Sequence, residues 1–177
     1  MNPWHDIAEA KITPEKFLAV IEISRGSRNK YEICKDTGML ILDRVLQTAT
    51  RYPTNYGFIP RTLSEDGDAL DVMVLGSKSV QPLALVECRP IAVIEMIDNG
   101  EVDEKILAVP LYKGSASSKY NDVSDIPEHV VREIIHFLEH YKDLDNRNKV
   151  EIRLIKGCSD AINIIKAAKE LYKKKFQ

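Results

Sequence analysis

The stretch Phe17–Leu46, with the sequence FLAVIEISRGSRNKYEICKDTGMLILDRVL, decides the fold. Apolar and β-branched residues dominate three short runs in it, and turn residues at Gly26-Ser27 and Thr37-Gly38 separate these runs. Because strands this close together leave no room for a helix between them, the pattern favours an antiparallel barrel or sandwich over alternating strands and helices. The predicted strands are Phe17–Ile23, Lys30–Ile33 and Leu40–Leu46.

The strand pattern continues to about residue 110, and two helices then follow. Asp125-Ile126-Pro127 marks a helix start whose first residue is the expected N-cap, and apolar residues at helical spacing extend this helix to about Leu144. Ser159 is expected to cap the last helix. We therefore expect one mainly β domain over residues 1–177, with its helices packed outside. The further predicted strands are Asp71–Leu75, Ala84–Ile97 (with Pro90 at an edge or a bend), Lys105–Val109 and Val150–Ile155.

The composition is that of an ordinary soluble protein, because 44% of the 177 residues are hydrophobic and 29% are charged. The formal net charge is −2, whereas proteins that bind nucleic-acid phosphates are usually basic, so we expect no nucleic-acid partner. No apolar run reaches the length of a membrane span, and the N-terminus lacks the features of a signal peptide. We therefore expect no membrane association and a cytoplasmic location. Three widely spaced cysteines argue against a disulfide framework and predict small buried apolar side chains at Cys34, Cys88 and Cys158.

Two acidic segments carry the main functional signal: EDGDALDV at Glu65–Val72 and DNGEVDEK at Asp98–Lys105. Each lies where a glycine-containing turn meets a predicted strand, so carboxylates from both segments can converge. Two such charges about 4 Å apart repel by roughly 4 kcal/mol at an effective dielectric constant of 20, so a cluster of them needs a cation. Oxygen ligands without histidine or cysteine favour Mg²⁺ or Mn²⁺ over Zn²⁺. Either segment taken alone is also typical of a solvated acidic turn.

Lysine, arginine and tyrosine side chains form a second set of candidate site residues. Acidic metal ligands beside cationic and phenolic donors are typical of a site for a metal-bound polyanion, and phosphate esters or pyrophosphate are the natural candidates. Taken alone, Lys142 is also typical of a cation near a helix C-terminus, and the tyrosines are typical of a barrel core. The set comprises Lys30, Arg44, Tyr52, Tyr56, Lys105, Tyr141 and Lys142.

His136-Phe137-Leu138-Glu139-His140 matches the H-x-x-E-H pattern of one class of zinc proteases. On a helical wheel, however, both histidines point away from the apolar face that contains Ile134 and Tyr141. We therefore expect no zinc site there, but a solvated face or a subunit contact next to Asp143.

With these segments identified, the chain resembles the family I soluble inorganic pyrophosphatases of the prokaryotic type. The resemblance runs from Phe17 to Leu144 and weakens after that. Its most specific motif is the D-x-D-x-x-D-V signature at Asp66–Val72, in which Ala69 replaces the usual proline. Asn99 also departs from the family, because many members have glutamate there. The other motifs are VIEI at Val20–Ile23, KYEI at Lys30–Ile33, Asp43-Arg44, YPTNYG at Tyr52–Gly57, Asp98 with Asp103-x-Lys105, and HYKDL at His140–Leu144.

The resemblance implies an OB-like five-stranded antiparallel barrel with two flanking helices, assembled as a cytoplasmic homo-hexamer. It also implies hydrolysis of pyrophosphate to two orthophosphates that depends on several Mg²⁺ ions per subunit. Mn²⁺ or Zn²⁺ are possible substitutes with ligands of this kind, and we expect Ca²⁺ to bind the same oxygen ligands and inhibit, because it is larger and acidifies water less. The implied metal ligands are Asp66, Asp71, Asp98, Asp103 and Glu32. The implied contacts to phosphate are Lys30, Arg44, Tyr56, Lys105, Tyr141 and Lys142. Glu22 and Tyr52 are expected to hold these site residues in position without contacting the substrate.

The mechanism expected on this basis is in-line attack on phosphorus by a water that two metal ions share. Asp68 is the signature carboxylate left without a metal to bind, so it is the predicted general base. A metal-dependent phosphatase for organic phosphates or nucleotides is the alternative enzyme. Two non-enzymatic alternatives are an OB-fold module that binds oligonucleotides and a divalent-ion buffer. The first conflicts with 7% aromatic content and negative net charge, and the second leaves Arg44 and Tyr141-Lys142 unexplained.

Overall fold

The computed structural model describes residues 1–145 and 150–177, which form a mixed α+β fold. Neither helix in these ranges combines the length and the apolar character that a membrane span requires. The strands are β1 (Phe17–Ile23), β2 (Asn29–Ile33), β3 (Leu40–Val45), β4 (Asn55–Phe58), β5 (Asp71–Val74), β6 (Leu85–Asp98), β7 (Glu101–Pro110) and β8 (Val150–Gly157). The helices are α1 (Glu128–His140) and α2 (Cys158–Phe176), with short 3-10 turns at Glu9–Lys11, Ala116–Lys119 and Val123–Asp125.

Five strands close a ring, which agrees with the predicted OB-like barrel. β1 pairs with β4, β4 with β5, β5 with β7 and β7 with β6, and the first part of β6 returns to β1. The β5–β7 pair is parallel and the other pairs of the ring are antiparallel, so the prediction of an entirely antiparallel barrel is corrected at this one pair. The reason is that β6 and β7 form a hairpin, and ring closure places its second strand beside β5 in the same direction. Strands β2 and β3 form a separate two-stranded hairpin.

The strand β6 is long because it serves two neighbours. Its first part, Leu85–Cys88, pairs with β1, and its second part, Ala92–Asp98, pairs with β8 outside the ring. The register between β6 and β7 shifts between Pro90 and Ala92. Pro90 has no N–H to donate to a neighbouring strand, so the pairing is interrupted next to it, at the residue for which the sequence predicts an edge or a bend.

The sequence pattern does not predict β4, which is only four residues long and contains a glycine. Gly57 is needed there because a β-carbon would lie 1.8 Å from the carbonyl oxygen of Val20 in β1. The close approach of the two strands completes the ring and places Tyr56 opposite Ile23.

Helix α1 is shorter than predicted at both ends. It begins at Glu128 with Pro127 as its N-cap, and Asp125 lies instead in the preceding 3-10 turn. The residue before a proline is disfavoured in helical conformation, so the helix starts only after this point. The helix ends at His140, not near Leu144. The next backbone bonds reach back only three residues, as from Asp143 N to the His140 carbonyl, and this spacing is too tight to continue an α-helix.

Helix α2 begins at Cys158 with Gly157 as its N-cap, so the predicted cap at Ser159 is wrong. The side chain of Asp122 takes over this role from a distant part of the chain, because its Oδ1 accepts a hydrogen bond of 3.1 Å from Cys158 N. A β-carbon at Gly157 would lie 2.6 Å from the same oxygen, which explains why glycine precedes the helix.

The two helices cover two different apolar clusters of the sheet. Helix α2 packs on a cluster that contains β1, and helix α1 packs on a cluster that contains the second half of β6. The α2 cluster includes Phe17, Ile21, Ala161, Ile165 and Ala168, and the α1 cluster includes Ile94, Met96, Ile134, Phe137 and Leu138.

The three cysteines are free thiols, as predicted, but only Cys88 is fully buried. Cys34 and Cys158 are partly exposed, so the prediction that all three are buried is wrong for these two. Cys158 is the first residue of α2, and its thiol donates a hydrogen bond of 3.2 Å to the Pro90 carbonyl.

Candidate active site

A cavity of about 300 Å³ lies where the barrel faces the β2–β3 hairpin. Most residues predicted for the site line it, although they come from six strands and two loops. Arg44 and Tyr52 are the two that do not. The predicted residues in the lining are Glu22, Lys30, Glu32, Tyr56, Asp66, Asp68, Asp71, Asp98, Asp103, Lys105, Tyr141 and Lys142.

Strand register brings the central residues together. Asp71 of β5 lies directly opposite Lys105 of β7 in the parallel pair. Asp103 precedes Lys105 by two residues, so both side chains point to the same face of β7. Asp103 and Lys105 of β7 therefore lie next to Asp71 of β5, the last aspartate of the D-x-D-x-x-D-V signature.

Lys105 forms the centre of this group and is only 5% exposed. Its ammonium group donates to Asp71, lies 2.9 Å from the Asp103 carboxylate and sits 5.6 Å from the centre of the Tyr56 ring. Burial opposes a charge on Lys105, but attraction by the two aspartates outweighs it and holds its pKa well above the usual value. The ammonium group is therefore a fixed positive charge. The pKa of Asp103 is raised, mainly by burial and further by the charge of Asp71.

Glu22 lines the cavity and is only 8% exposed. Its Oε1 accepts a hydrogen bond of 2.8 Å from the backbone of Ile33 in the hairpin. Burial is the main reason that the pKa of Glu22 rises to about 8. This carboxyl group therefore ties β1 to the hairpin.

Lys142 and Asp98, which both line the cavity, form an ion pair. The ammonium group of Lys142 also lies 5.4 Å from the centre of the Tyr141 ring. Burial disfavours the charge on Lys142, but Tyr141 and Asp98 more than compensate, so its pKa is raised. The second oxygen of Asp98, Oδ1, is buried and accepts no hydrogen bond from the residues that the structure describes.

The hairpin supplies the exposed wall of the cavity. Lys30 donates to Glu32 and to Asp43, the latter at 2.9 Å. Arg44 lies opposite Lys30 in the β2–β3 register, but its guanidinium group turns outward to Asp43 at 2.9 Å and to Asp145 at 3.1 Å. The structure thus does not bring Arg44 into the cavity, because Asp145, more than 100 residues away in sequence, holds it outside.

Tyr52 does not line the cavity but packs behind it, against Tyr56, which does. It is 3% exposed, and its ring centre lies 5.4 Å from that of Tyr56 and 4.7 Å from that of Phe137 in α1. Burial raises the pKa of Tyr52 well above its usual value, so the hydroxyl stays protonated.

The sequence pattern does not identify two further cavity residues, Trp4 and Lys35. Lys35 forms an ion pair with Asp68, and its ammonium group lies 6.0 Å from the centre of the Trp4 ring. Their only sequence signal is that Trp4 is the single tryptophan of the chain, which by itself does not indicate a site.

Negative charge exceeds positive charge in the cavity. Seven carboxyl groups face four lysines, and most of the carboxylates are engaged with those lysines. Over residues 1–145 and 150–177, no three carboxylate, imidazole or thiol groups are arranged as a ready-made metal site. The carboxyl groups are those of Glu22, Glu32, Asp66, Asp68, Asp71, Asp98 and Asp103, and the lysines are Lys30, Lys35, Lys105 and Lys142.

The exposed histidine face is as predicted. His136 and His140 lie on the solvent side of α1 with their ring centres 4.5 Å apart, and Nδ1 of His140 lies 2.8 Å from Asp143. Neither histidine lines the cavity described above.

The chain is similar to known proteins over almost its whole length. The family model for inorganic pyrophosphatase matches residues 19–173, so the similarity extends beyond Leu144, where the sequence motifs end. The inorganic pyrophosphatase of Aquifex pyrophilus is 44% identical over 97% of both chains. The crystal structure of inorganic pyrophosphatase from Thermus thermophilus aligns with a TM-score of 0.92 at 37% identity and covers 98% of this chain and 99% of its own. The Helicobacter pylori enzyme aligns with a TM-score of 0.87 at 38% identity, over 90% of this chain and 95% of its own. With its sequence and its fold in common with these proteins, this chain belongs to the family I soluble inorganic pyrophosphatases.

Proposed function

We propose that this protein hydrolyses inorganic pyrophosphate to two orthophosphates with the help of Mg²⁺. The observation that carries the proposal is the convergence of acidic, cationic and phenolic side chains in one cavity of about 300 Å³. That volume suits a small ligand, and a lining of this charge suits a polyanion that arrives with cations.

The residues present fit a divalent cation. The buried Oδ1 of Asp98 lacks a partner among the described residues, and the raised pKa values of Glu22 and Asp103 reflect carboxyl groups that are buried beside other negative charges. Oxygen-only ligands favour Mg²⁺, with Mn²⁺ or Zn²⁺ as substitutes. Bound cations would neutralise these charges and lower the pKa of a coordinated water. The ligands would be Asp66, Asp71, Asp98, Asp103 and Glu32.

The basic and phenolic side chains hold the substrate. Lys30 and Lys142 both line the cavity and come from different parts of the chain, the β2–β3 hairpin and the segment after α1, and we expect their ammonium groups to bind phosphate oxygens. The hydroxyls of Tyr56 and Tyr141 add further hydrogen-bonding groups, and Lys105 holds Asp71 and Asp103 in place through its ion pairs. This arrangement stabilises the negative charge that develops on the leaving phosphate.

Asp68 is proposed as the general base. Its backbone N–H donates 2.9 Å to Oδ1 of Asp66, which fixes the acidic turn, while its own carboxylate remains more than half exposed toward the cavity. Water attacks phosphorus in line with the bridging oxygen, its proton passes to Asp68, and the bond from phosphorus to that oxygen breaks. The second orthophosphate leaves with the bridging oxygen.

Substrate choice can be tested by measuring phosphate release from pyrophosphate and from ATP with Mg²⁺ present. We expect rapid release from pyrophosphate and much slower release from ATP, because the seven carboxyl groups and four lysines of the cavity suit a small polyanion that arrives with cations. Equal rates on the two substrates would favour a phosphatase for organic phosphates instead.

We also propose a cytoplasmic homo-hexamer, which rests on the family resemblance. The exposed pair His136 and His140, next to Asp143, is the surface we expect to take part in subunit contacts. Sizing chromatography of the double variant His136→Gln/His140→Gln should show weaker assembly than the unmodified protein. An unchanged hexamer at every pH from 5 to 8 would remove this face from the interface.

A further inference from the structure

The N-terminal segment Met1–Asp6 lies between three parts of the molecule: the tip of the β2–β3 hairpin, the loop that leads to the acidic turn, and helix α2. Trp4, in the middle of the segment, is 6% exposed and lines the cavity. None of the sequence motifs that define the candidate site includes these residues.

The segment contacts the hairpin tip directly. The side-chain amide of Asn2 donates a hydrogen bond of 2.8 Å to the Lys35 carbonyl. Gly38, at the turn, has a positive φ of 70°, and a β-carbon there would lie 2.7 Å from the Met1 carbonyl oxygen. The hairpin tip is therefore packed against the backbone of the segment with no space for a larger residue.

The same segment is anchored to the rest of the fold. The indole N–H of Trp4 donates 2.8 Å to the Thr62 carbonyl, and the Trp4 carbonyl accepts 3.0 Å from Arg61 N. These bonds fix it to the loop just before the acidic turn. On the other side, His5 Nδ1 lies 2.6 Å from the hydroxyl of Tyr172 in α2.

The anchored segment also reaches the cavity. Lys35 lies over the Trp4 ring and pairs with Asp68, so one lysine of the hairpin touches both the segment and the proposed base. The hairpin itself is a sheet of only two strands, separate from the barrel sheet, yet it carries Lys30 and Glu32. A two-stranded hairpin is marginally stable alone, so its position depends on such external contacts.

We propose that Met1–Asp6 acts as a clasp that holds the β2–β3 hairpin at a fixed distance from the acidic turn. Asn2 and Trp4 are then positioning residues, since they act through the hairpin and make no contact with the reacting atoms. The consequence for catalysis rests on the proposed function, whereas the mechanical role of the clasp does not.

The test compares Asn2→Ala with a matched control, Asn121→Ala. Asn2→Ala removes the bond from the side-chain amide to the Lys35 carbonyl and also the bond of 3.0 Å that Oδ1 of Asn2 accepts from the backbone N–H of Trp4 inside the segment. Asn121→Ala removes a bond from the side-chain amide to the Lys119 carbonyl, outside the clasp. Hydrogen exchange is measured on the metal-free protein at Cys34 and Gly38, whose amides bond within the hairpin tip. KM and kcat for pyrophosphate are measured with Mg²⁺.

Asn2→Ala is expected to accelerate exchange at the hairpin tip about three- to tenfold, the factor that corresponds to one hydrogen bond. KM should rise by a similar factor with kcat nearly unchanged, because a loosened hairpin weakens binding through Lys30. Asn121→Ala should leave the hairpin exchange and both kinetic constants unchanged.

Unchanged exchange in Asn2→Ala would show that the segment does not hold the hairpin. Faster exchange with an unchanged KM would overturn the positioning role. If the unmodified protein released no phosphate from pyrophosphate, the proposed function would fail, and the exchange measurement would still decide whether the clasp exists.

Discussion

Two lysines in the same cavity are held in very different ways. Lys105 sits in the barrel wall, 6% exposed at its side chain, between two aspartates that strand register aligns with it. Lys30 sits in the two-stranded hairpin, and its partners Glu32 and Asp43 have side chains that are 54% and 30% exposed. The barrel therefore provides a rigid base, whereas the hairpin provides a wall whose position depends on contacts from elsewhere in the chain.

The barrel and the hairpin therefore differ in how firmly they hold the charged side chains of the cavity. Charges fixed by a closed ladder can hold metal ligands in place before substrate arrives. A hairpin with solvated ion pairs can adjust its lysine to the substrate at little cost. The acidic turn with Asp66 and Asp68 connects the two regions, because it precedes β5 in the barrel and contacts Lys35 of the hairpin.

The largest effect is expected at this connection. Asp68→Asn keeps the shape of the turn but removes the base, so kcat should fall by about 10²- to 10⁴-fold. Mg²⁺ binding, followed by calorimetry, should be nearly unchanged. If Asp68→Asn instead abolished Mg²⁺ binding while Asp66→Asn retained it, the roles of these two aspartates would have to be exchanged.

The second prediction compares how much Lys105 and Lys30 contribute to the free energy of unfolding. Lys105→Met leaves two aspartates in the barrel wall without their counter-charge, which should lower the free energy of unfolding by about 3 kcal/mol. Lys30→Met should lower it by less than about 1 kcal/mol, because its partners are solvated. Urea unfolding of the metal-free variants measures both values. Equal losses would remove the distinction between barrel and hairpin.

A smaller effect concerns which cations contact substrate. Lys142→Ala removes a charge-assisted contact worth about 1.5–3 kcal/mol, so kcat/KM should fall by roughly 10- to 150-fold. Arg44→Ala should have a weaker effect, because its guanidinium group is bound to Asp43 and Asp145 outside the cavity. Lys174→Ala, at the end of α2, is the control and should behave like the unmodified protein. A loss for Arg44→Ala as large as for Lys142→Ala would mean that Arg44 turns inward when substrate binds.

A further effect is the pH dependence that Glu22 confers on stability. The pKa of Glu22 is about 8 in the folded protein and near 4.5 when unfolded, so the folded state binds this proton more tightly. Its contribution to stability is complete below pH 4.5 and is lost as the pH rises through about 8. Glu22→Gln should therefore stabilise the metal-free protein at pH 8 and have little effect at pH 4.5. Thermal unfolding at the two pH values measures this difference, and an equal shift at both would contradict it.

How far the sequence predicts the molecule depends on the range of the interactions involved. Strand β1 is predicted at its observed bounds because alternation and β-branching are local signals. Strand β4 escapes prediction, since its glycine is explained only by the carbonyl of Val20 in a neighbouring strand. The same reason applies to the start of α2, where Asp122 rather than the adjacent Ser159 provides the hydrogen bond.

The candidate site shows the same limit. The motif residues on β5 and β7 meet as expected because two short segments and one register define their positions. Arg44 turns away because of Asp145, a partner that no local pattern indicates. Lys35 and Trp4 line the cavity because the N-terminal segment packs on the hairpin. Neither the composition nor the periodicity of the sequence predicts that contact.

The central claim is that the excess of carboxyl groups in this cavity serves a hard divalent cation during pyrophosphate hydrolysis. The most direct test is phosphate release from pyrophosphate by metal-free protein, first with Mg²⁺ added and then with Ca²⁺ titrated against it. Mg²⁺ prefers octahedral oxygen ligands at about 2.0–2.1 Å, whereas Ca²⁺ takes 6–8 ligands at about 2.3–2.6 Å and acidifies water less. We predict no release without metal, rapid release with Mg²⁺, and a progressive fall as Ca²⁺ is added. Release that persists in a chelator, or that is as fast with Ca²⁺ as with Mg²⁺, would contradict the claim.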